Sequence, residues 1–405
     1  MKSIFMFIKR AGNLGLIIFL ITVTFIYAMF QGGFVSWFLF YSFLPVGLYS
    51  FLIAVYPISS MDVKRLTNQT EYSAGEKLVG TITINRKFPL PLVYMVVEEV
   101  LPSELKYHEK GQKSKVLLFP WFKRNLTFNY VFDSIPRGEH LFTEIRVRTG
   151  DLFGLVEKQA VFPIEQKFLV YPKCYDLIYR QVESRFEQGA TASNVNLQRD
   201  TTIAIGIRDY KPGDRFSWID WKSSARKNEI MTKEFEQQQS HDVVLFLDRT
   251  PSREFEQSVT FLTSLVRSIL KKGAQLSLIS IGEEQSIFPL RGGETQQQQI
   301  FYHLAKVKSD SSVPFSITID SEMKKIYQGI TFMFVTSRLT SDFVRALERL
   351  SFRRANLLVF VAKEKGAQLL QLEIGLIETL RRRSVVVKVV YEGHYTDVFL
   401  EVSNS

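Results

Sequence analysis

Asp242-Val243-Val244-Leu245-Phe246-Leu247-Asp248-Arg249-Thr250-Pro251-Ser252 is the stretch on which the fold turns. An unbroken apolar run closed by a carboxylate is the pattern of a parallel strand covered on both faces. Downstream, Phe255, Val259, Leu262, Val266 and Ile269 recur at spacings of three and four, the period of one helix face. Lys271, Lys272 and Gly273 then supply dipole-compatible charge and a C-cap glycine. Strand patterns at Gln275–Ile281, Ile330–Val335, Leu357–Val361 and Val385–Val390 alternate with helical patterns at Thr295–Val307, Ser341–Leu350 and Ala367–Arg381. Such alternation predicts an α/β doubly wound domain over residues 241–405, with its ligand crevice beyond the carboxyl ends of the strands. Asp248 is expected at that rim.

Upstream, residues 62–175 carry short runs of β-branched and aromatic residues: Leu78–Ile84, Leu92–Val100, Lys115–Phe119, Asn125–Phe132, Glu144–Arg148, Val156–Phe162 and Phe168–Tyr171. Gly, Pro and Asn separate them, which predicts an all-β sandwich. Asp151-Leu152-Phe153-Gly154-Leu155 reads as a tight corner in which Phe153 fills the core and Gly154 takes a positive φ.

Residues 1–61 differ again. Between Ala11 and Met61 there is no Asp, Glu, Lys or Arg. A helix over that length reaches roughly 75 Å at about 1.5 Å per residue, enough for two crossings of a ~30 Å hydrocarbon core. Gln31-Gly32-Gly33 is the turn, giving two transmembrane helices over about 12–30 and 34–58, with Trp37, Tyr41, Tyr49 and Tyr56 available for the interfaces. Lys2, Lys9 and Arg10 precede the first span and Lys64 and Arg65 follow the second. By the distribution of basic residues the N-terminus and the soluble domains face the cytoplasm, in a multi-pass protein of the plasma membrane. The Asn68-Gln69-Thr70 and Asn125-Leu126-Thr127 triplets then lie on the wrong side for glycosylation.

The 405 residues carry a net charge of +10 and are 46% hydrophobic, too apolar for a disordered chain. The basic surplus suits an anionic lipid surface or an acidic partner. No Lys/Arg stripe with interleaved aromatics marks a nucleic-acid groove. Cys174, the lone cysteine, excludes an internal disulfide and any cysteine-built zinc or iron–sulfur site.

Residues 176–240 form a linker with a dense charged signature: Arg208, Asp209, Tyr210, Gly213, Asp214, Asp220, Trp221, Ser224, Arg226 and Glu234. An enzyme would use Asp214 and Asp220 as an acid/base pair and Ser224 as nucleophile. The stretch holds no His, however, and the residue two on from Ser224 is Arg226, whose guanidinium does not act as a base. The favoured expectation is structural, an Arg–carboxylate network in which Arg208, Arg215 and Arg226 bridge the domains through bidentate bonds.

The pattern R-D-Y-x-x-G-D-x-x-x-x-I-D-W-x-x-S-A-R-x-x-E, followed by E-F-E, resembles the signature of the bacterial domain of unknown function 58 family. Arg137-Gly138, Asp151-Leu152-Phe153-Gly154-Leu155 and Tyr171-Pro172 are similar to that family's upstream landmarks, with Leu152 in place of the usual Pro. The resemblance implies a von Willebrand factor type A-like C-terminal domain and, as partner, a MoxR-type AAA ATPase. It assigns no established activity. Asp248, Thr250 and Ser252 are similar to the type A metal-ion motif, with Thr295 as a further hydroxyl, which implies Mg²⁺. Thr336-Ser337-Arg338 stands where type A domains carry an Asp, and Asp342 would replace it only if its loop folded back. Two outcomes stay open: a bound Mg²⁺, or a degenerate site in which Asp248 accepts hydrogen bonds from a helix N-terminus or pairs with Arg338. The expected function is a non-enzymatic membrane-anchored cytoplasmic adaptor or scaffold. The alternative is an Mg-dependent hydrolase using Asp248 or the Asp214/Asp220 pair.

Overall fold

The computed structural model describes residues 2–102, 105, 114–179, 204–211, 214–235, 242–322, 330–351, 356–395 and 398–399. It divides into two compact units, Met1–Tyr171 and Pro172–Ser405.

The first unit opens with helices α1 (Lys2–Gln31) and α2 (Phe34–Val55). Gly32, at a φ of 61° that suits glycine, lets the chain double back, and Phe25 meets Phe40 with ring centres 5.5 Å apart. Among the described residues one helix, α2, is long and apolar enough to cross a membrane, and Ile18–Gln31 is a shorter apolar stretch of α1. The helix ends at Val55 and not at Ile58, which belongs to a 3₁₀ turn over Ile58–Ser60.

Eight strands follow among the described residues: β1 (Asp62–Thr67), β2 (Glu71–Ser73), β3 (Leu78–Asn85), β4 (Met95–Glu99), β5 (Lys115–Leu118), β6 (Asn125–Phe132), β7 (Gly138–Gly150) and β8 (Glu157–Tyr171). They form one sheet of order β1-β3-β6 and another of order β2-β8-β7-β4-β5. Alternate residues of both sheets meet in one core, with Val63, Ile82 and Phe128 from the first and Val97, Phe142 and Val147 from the second. The runs at Val156–Phe162 and Phe168–Tyr171 are a single strand. Pro163, which has no N–H to give, sits opposite Glu144 beside a register shift in β7, where no ladder donor is required. Gly154 has the expected positive φ of 72°, but Phe153 is 65% exposed and Leu155 packs on the core in its place.

A fully buried ion pair ties the sheets together. Arg65 of β1 donates from Nη2 to Glu99 Oε1 of β4 at 2.6 Å, from Nε to Oε2 at 3.2 Å, and from Nη1 to the Ile164 carbonyl of β8 at 2.9 Å. Gly80 of β3 faces Tyr130 so closely that a Cβ there would lie 2.0 Å from the ring.

In the second unit, β11 (Val243–Asp248), β12 (Leu276–Ile281), β13 (Ser286–Arg291), β14 (Thr331–Thr336), β15 (Asn356–Lys363) and β16 (Val386–Tyr391) build a sheet of order β13-β12-β11-β14-β15-β16. All neighbours are parallel except β13, which runs against β12. The order reverses at β11, as in a doubly wound sheet. Helices cover both faces. Those taking up the sequence after the signature hairpin described below are α4 (Phe255–Lys271) and α5 (Glu294–Lys306) on one core, with α6 (Phe315–Glu322), α7 (Ser341–Ser351) and α8 (Gln371–Arg382) on the other. Tyr175, expected at the end of the β domain, and Tyr179, expected in the linker, are both packed here: their N–H groups donate to Ser264 and Ser268 Oγ of α4 at 2.9 and 3.1 Å.

Glu99→Ala leaves a buried guanidinium without its carboxylate and is expected to cost about 3–5 kcal/mol. Pairing Glu99→Leu with Arg65→Met should recover much of that loss, because no charge is then left unpaired. Chemical unfolding of the detergent-solubilised chain measures both.

Candidate functional site

The carboxyl end of the central strand is built around Asp248, which is 7% exposed. Its Oδ1 accepts the Thr250 N–H at 2.9 Å and the Thr250 hydroxyl at 2.6 Å, while Oδ2 accepts the Thr336 hydroxyl at 2.7 Å. Thr336 ends β14, the parallel neighbour of β11, so the two strand ends lie side by side. Thr336 Oγ1 in turn accepts the Arg338 N–H at 3.1 Å. Asp248 is therefore oriented by hydroxyls from two strands; Arg338 enters through its backbone, and its side chain is exposed. Ser252 Oγ accepts the Glu254 N–H at 3.1 Å just ahead of α4.

Thr295 does not join this site. Because β13 is antiparallel, Arg291 pairs with Leu276, at the opposite end of β12 from Ile281, which pairs with Asp248. Five residues of strand rise, roughly 16 Å, separate the two ends. Asp342 is 66% exposed at its side chain and bonded to Arg345. What remains is one carboxylate whose two oxygens already accept three hydrogen bonds, with no second carboxylate at the end of β14. That set does not fit a resident Mg²⁺.

Side chains that the sequence motif did not single out hold the rim in shape. Arg249 is 7% exposed and donates to Asp310 Oδ2 at 2.5 Å and to the Lys308 and Glu284 carbonyls, each at 3.0 Å. Gly282 leaves room for it, since a Cβ there would sit 2.3 Å from the guanidinium carbon. At the end of β15, Lys363 Nζ lies 2.9 Å from Glu373 and 3.5 Å from Glu254, linking α8 to the start of α4.

The charged signature forms a separate antiparallel hairpin, β9 (Ala204–Asp209) with β10 (Met231–Phe235), enclosing α3 (Trp221–Lys227). Arg208 makes the expected bidentate pair, but with Asp214 six residues on: Nη1 and Nη2 each donate at 2.8 Å. Asp214 Oδ2 also accepts the Lys211 N–H. Asp220 is the N-cap of α3, its Oδ1 accepting the Ser223 N–H at 2.9 Å, and that bond holds its carboxyl below the usual range. Ser224 Oγ donates to the Asp220 carbonyl at 2.8 Å and accepts the Met231 N–H at 2.9 Å, fastening α3 to β10. Arg215 lies over the Trp218 ring at 5.4 Å, and Arg226 is exposed in the last turn of α3. The described contacts of Arg208 with Asp214 and of Arg215 with the Trp218 ring lie within the hairpin. Tyr210 donates its N–H to Ile230 O, Asp209 is exposed in β9, and Phe216 and Trp221 are 77% and 70% exposed. Gly213 and the Glu234 side chain lie outside the described residues.

Arg208→Ala and Asp214→Ala should each cost about 1.5–3 kcal/mol, the worth of charged hydrogen bonds, and the double variant little more than either, measured by chemical unfolding. Because the Asp220 carboxyl is held low, its contribution is present above the ordinary carboxylate pKa and is lost as pH falls through the depressed value. Asp220→Asn should therefore lower the melting temperature at neutral pH, with the difference from the parent shrinking below about pH 4.

Residues 206–385 match the family model described as "Protein of unknown function DUF58". The chain is 41% identical over 381 residues to the uncharacterized protein YeaD of Bacillus subtilis (strain 168), covering 94% of this chain and 95% of that protein. Among solved structures it is similar to an aerotolerance-related membrane protein from Bacteroides fragilis, at 10% identity, TM-score 0.30, over 41% of this chain and 100% of that one. It is also similar to proximal thread matrix protein 1 of the mussel byssus, at 12% identity, TM-score 0.28, over 40% of this chain and 45% of that one. On its identity to YeaD along nearly the whole of both chains, with the family model matching its signature and sheet, the chain belongs to the DUF58 family of proteins of unknown function.

Proposed function

We propose that this protein is a scaffold or adaptor anchored in the plasma membrane by α1 and α2, with its soluble domains in the cytoplasm. Its doubly wound domain, taken as von Willebrand factor type A-like, binds a protein partner at the Asp248 rim, and the family resemblance supplies a MoxR-type AAA ATPase as the candidate. The observation that carries this reading is the rim itself. At the switch point of the sheet a carboxylate is held rigidly by Thr250 and Thr336, with Ser337, Arg338 and Ser252 around it. A preorganised carboxylate of that kind suits a Lys or Arg of a partner, since charged hydrogen bonds to a fixed acceptor lose little entropy on binding. The reversed edge strand and the D-x-T-x-S loop support the type A comparison.

The hydrolase reading lacks such support. Asp214 is bonded to Arg208, Asp220 caps a helix with a depressed pKa, and Ser224 bonds the backbone at both its donor and acceptor sides. A general base is best poised near neutral pH, and a depressed carboxyl is not.

Binding of the full-length chain in detergent to a purified MoxR-type ATPase tests the proposal. Asp248→Ala is expected to weaken it about ten- to hundredfold, as loss of a charged hydrogen bond does. Asp248→Asn keeps one oxygen acceptor for Thr250, while its amide N–H can donate to the Thr336 hydroxyl, so it removes the charge with a smaller loss of local bonding than Asp248→Ala. EDTA is expected to leave affinity unchanged, and loss on chelation restores the metal site. Absence of binding removes the ATPase as partner. For topology, an alkaline phosphatase fusion at the C-terminus is expected to be inactive and one within Gln31–Gly33 active; the reverse result inverts the assignment.

A further inference from the structure

The end of the first unit that surrounds α2 carries an unusual density of exposed aromatic and apolar side chains. Strand register places three loops at that end. β3 finishes there at Asn85, opposite Asp62 at the start of β1 and Asn125 at the start of β6. β4 starts there at Met95, opposite Thr149 near the end of β7 and Leu118 at the end of β5. Gly150 pairs with Glu157 across the remaining turn. The loops after β3, between β5 and β6, and between β7 and β8 therefore share one rim. They display Phe88 at 56% exposure, Phe119 at 60%, Trp121 at 55%, Phe122 at 67%, and Leu152 and Phe153 at 65% each. Lys87, Lys123 and Arg124 are exposed among them.

The same loops grip the last turns of α2. Ser50 Oγ donates to Asp151 Oδ2 at 2.7 Å, directly ahead of Leu152 and Phe153 in the chain. Tyr49 OH donates to the Pro91 carbonyl at 3.1 Å and Tyr56 OH to the Phe88 carbonyl at 3.0 Å. Arg86, 1% exposed, donates to the Leu90 carbonyl at 3.0 Å and the Trp121 carbonyl at 2.8 Å, clamping two of the loops together. Trp121 holds a φ of 47°, a left-handed conformation that bulky residues rarely adopt, fixed by paired bonds with Leu92.

Helix length adds a quantitative constraint. Ser50, Ile53, Ala54 and Tyr56 are buried in the β unit. The stretch of α2 ahead of them, Phe34–Tyr49, measures roughly 24 Å, short of the ~30 Å of a hydrocarbon core. At the level of Ser50–Val55 the helix keeps one exposed apolar face, Phe51, Leu52 and Val55, and the loops flank its buried face, so helix and collar present apolar surface at the same depth. Resting on the membrane anchoring put forward above, we infer that these three loops form a membrane-inserted collar. Phe88, Phe119, Trp121, Phe122, Leu152 and Phe153 enter the interface of the bilayer, and Lys87, Lys123 and Arg124 reach its anionic headgroups. Aromatic rings favour that depth and the long basic side chains snorkel from it. The β unit is on this account embedded at the membrane surface instead of hanging from a flexible stalk.

The test uses the full chain with Cys174→Ser, reconstituted in phosphatidylethanolamine/phosphatidylglycerol vesicles. An environment-sensitive fluorophore is attached at Phe122→Cys or Phe153→Cys, and at Asp133→Cys as control. Asp133 is exposed and follows Phe132, which pairs with Leu78 at the far end of the sheet. A blue-shifted emission from the Phe122 and Phe153 labels, lost to lipids carrying a shallow nitroxide quencher, with the Asp133 label unaffected, is the expected result. Carbonate washing of the same vesicles keeps the two proposals apart. A chain that resists the wash but shows water-like emission at both loop positions overturns the collar and leaves the anchor standing. A chain released by the wash overturns the anchor and the collar with it.

Discussion

A helix that ends inside a protein must find donors for its last carbonyls, and in this chain Lys158 provides them. Its Nζ donates to the Ala54 carbonyl at 2.7 Å and also to that of Tyr56, from a site only 7% exposed. A lysine can be buried there because the terminus of α2 presents both hydrogen-bond acceptors and the negative end of the helix dipole. Ser50 and Asp151 add a second polar bond about one turn earlier in the helix, and Asp151 also takes the Val156 N–H at 3.0 Å to close the β7–β8 turn. Helix α2 is thus bonded to the β7–β8 hairpin, and β8 in turn gives its Ile164 carbonyl to Arg65 of β1, whose pair with Glu99 of β4 joins the two sheets. Loss of these contacts would leave buried groups unpaired, so helix and sheets behave as one body.

The rim of the second unit obeys a similar economy of polar groups. Asp248, Thr250 and Thr336 satisfy one another, and Arg249 is satisfied by Asp310 and two carbonyls. Each loop of the rim is therefore fixed by a bond to a residue on a different strand end or connection. Rigidity of this kind is what a recognition surface needs and what a hydroxyl-rich metal site lacking its second carboxylate loses as chemistry. The signature hairpin follows the same rule: Asp214, Asp220 and Ser224, a plausible catalytic set on paper, are each committed to holding a turn, a cap or a strand. Their fixed geometry leaves Phe216 and Trp221 displayed outward on a hairpin that depends on polar bonds for its shape.

Local patterns were legible in the sequence wherever one residue type and its period carry the physics. The unbroken run at Val243–Leu247, the three-and-four spacing of α4, the charge-free stretch of α2 and the Gly32 turn all became the elements their patterns predict. The short strand β2, and the joining of β8 across Pro163, escaped because a proline opposite a bulge and a three-residue strand have no periodicity to read. Arg208 announced a bidentate pair by its chemistry, but its partner six residues away depended on how the turn closed.

By itself, then, the sequence determined the order of apolar helices, β-rich unit and α/β sheet, and which carboxylate stands at the end of the central strand. Tertiary structure alone decided who meets whom. The antiparallel run of β13 carried Thr295 to the wrong end of the sheet, since strand direction is set by pairing across space and leaves no mark on composition. Burial of Asp151 against Ser50 turned Phe153 outward and Leu155 inward, reversing the expectation for that corner. The physical reason is common to both. A side chain's role depends on the partner that satisfies it or the surface that covers it, and those are supplied by segments distant in sequence and brought close only by the fold.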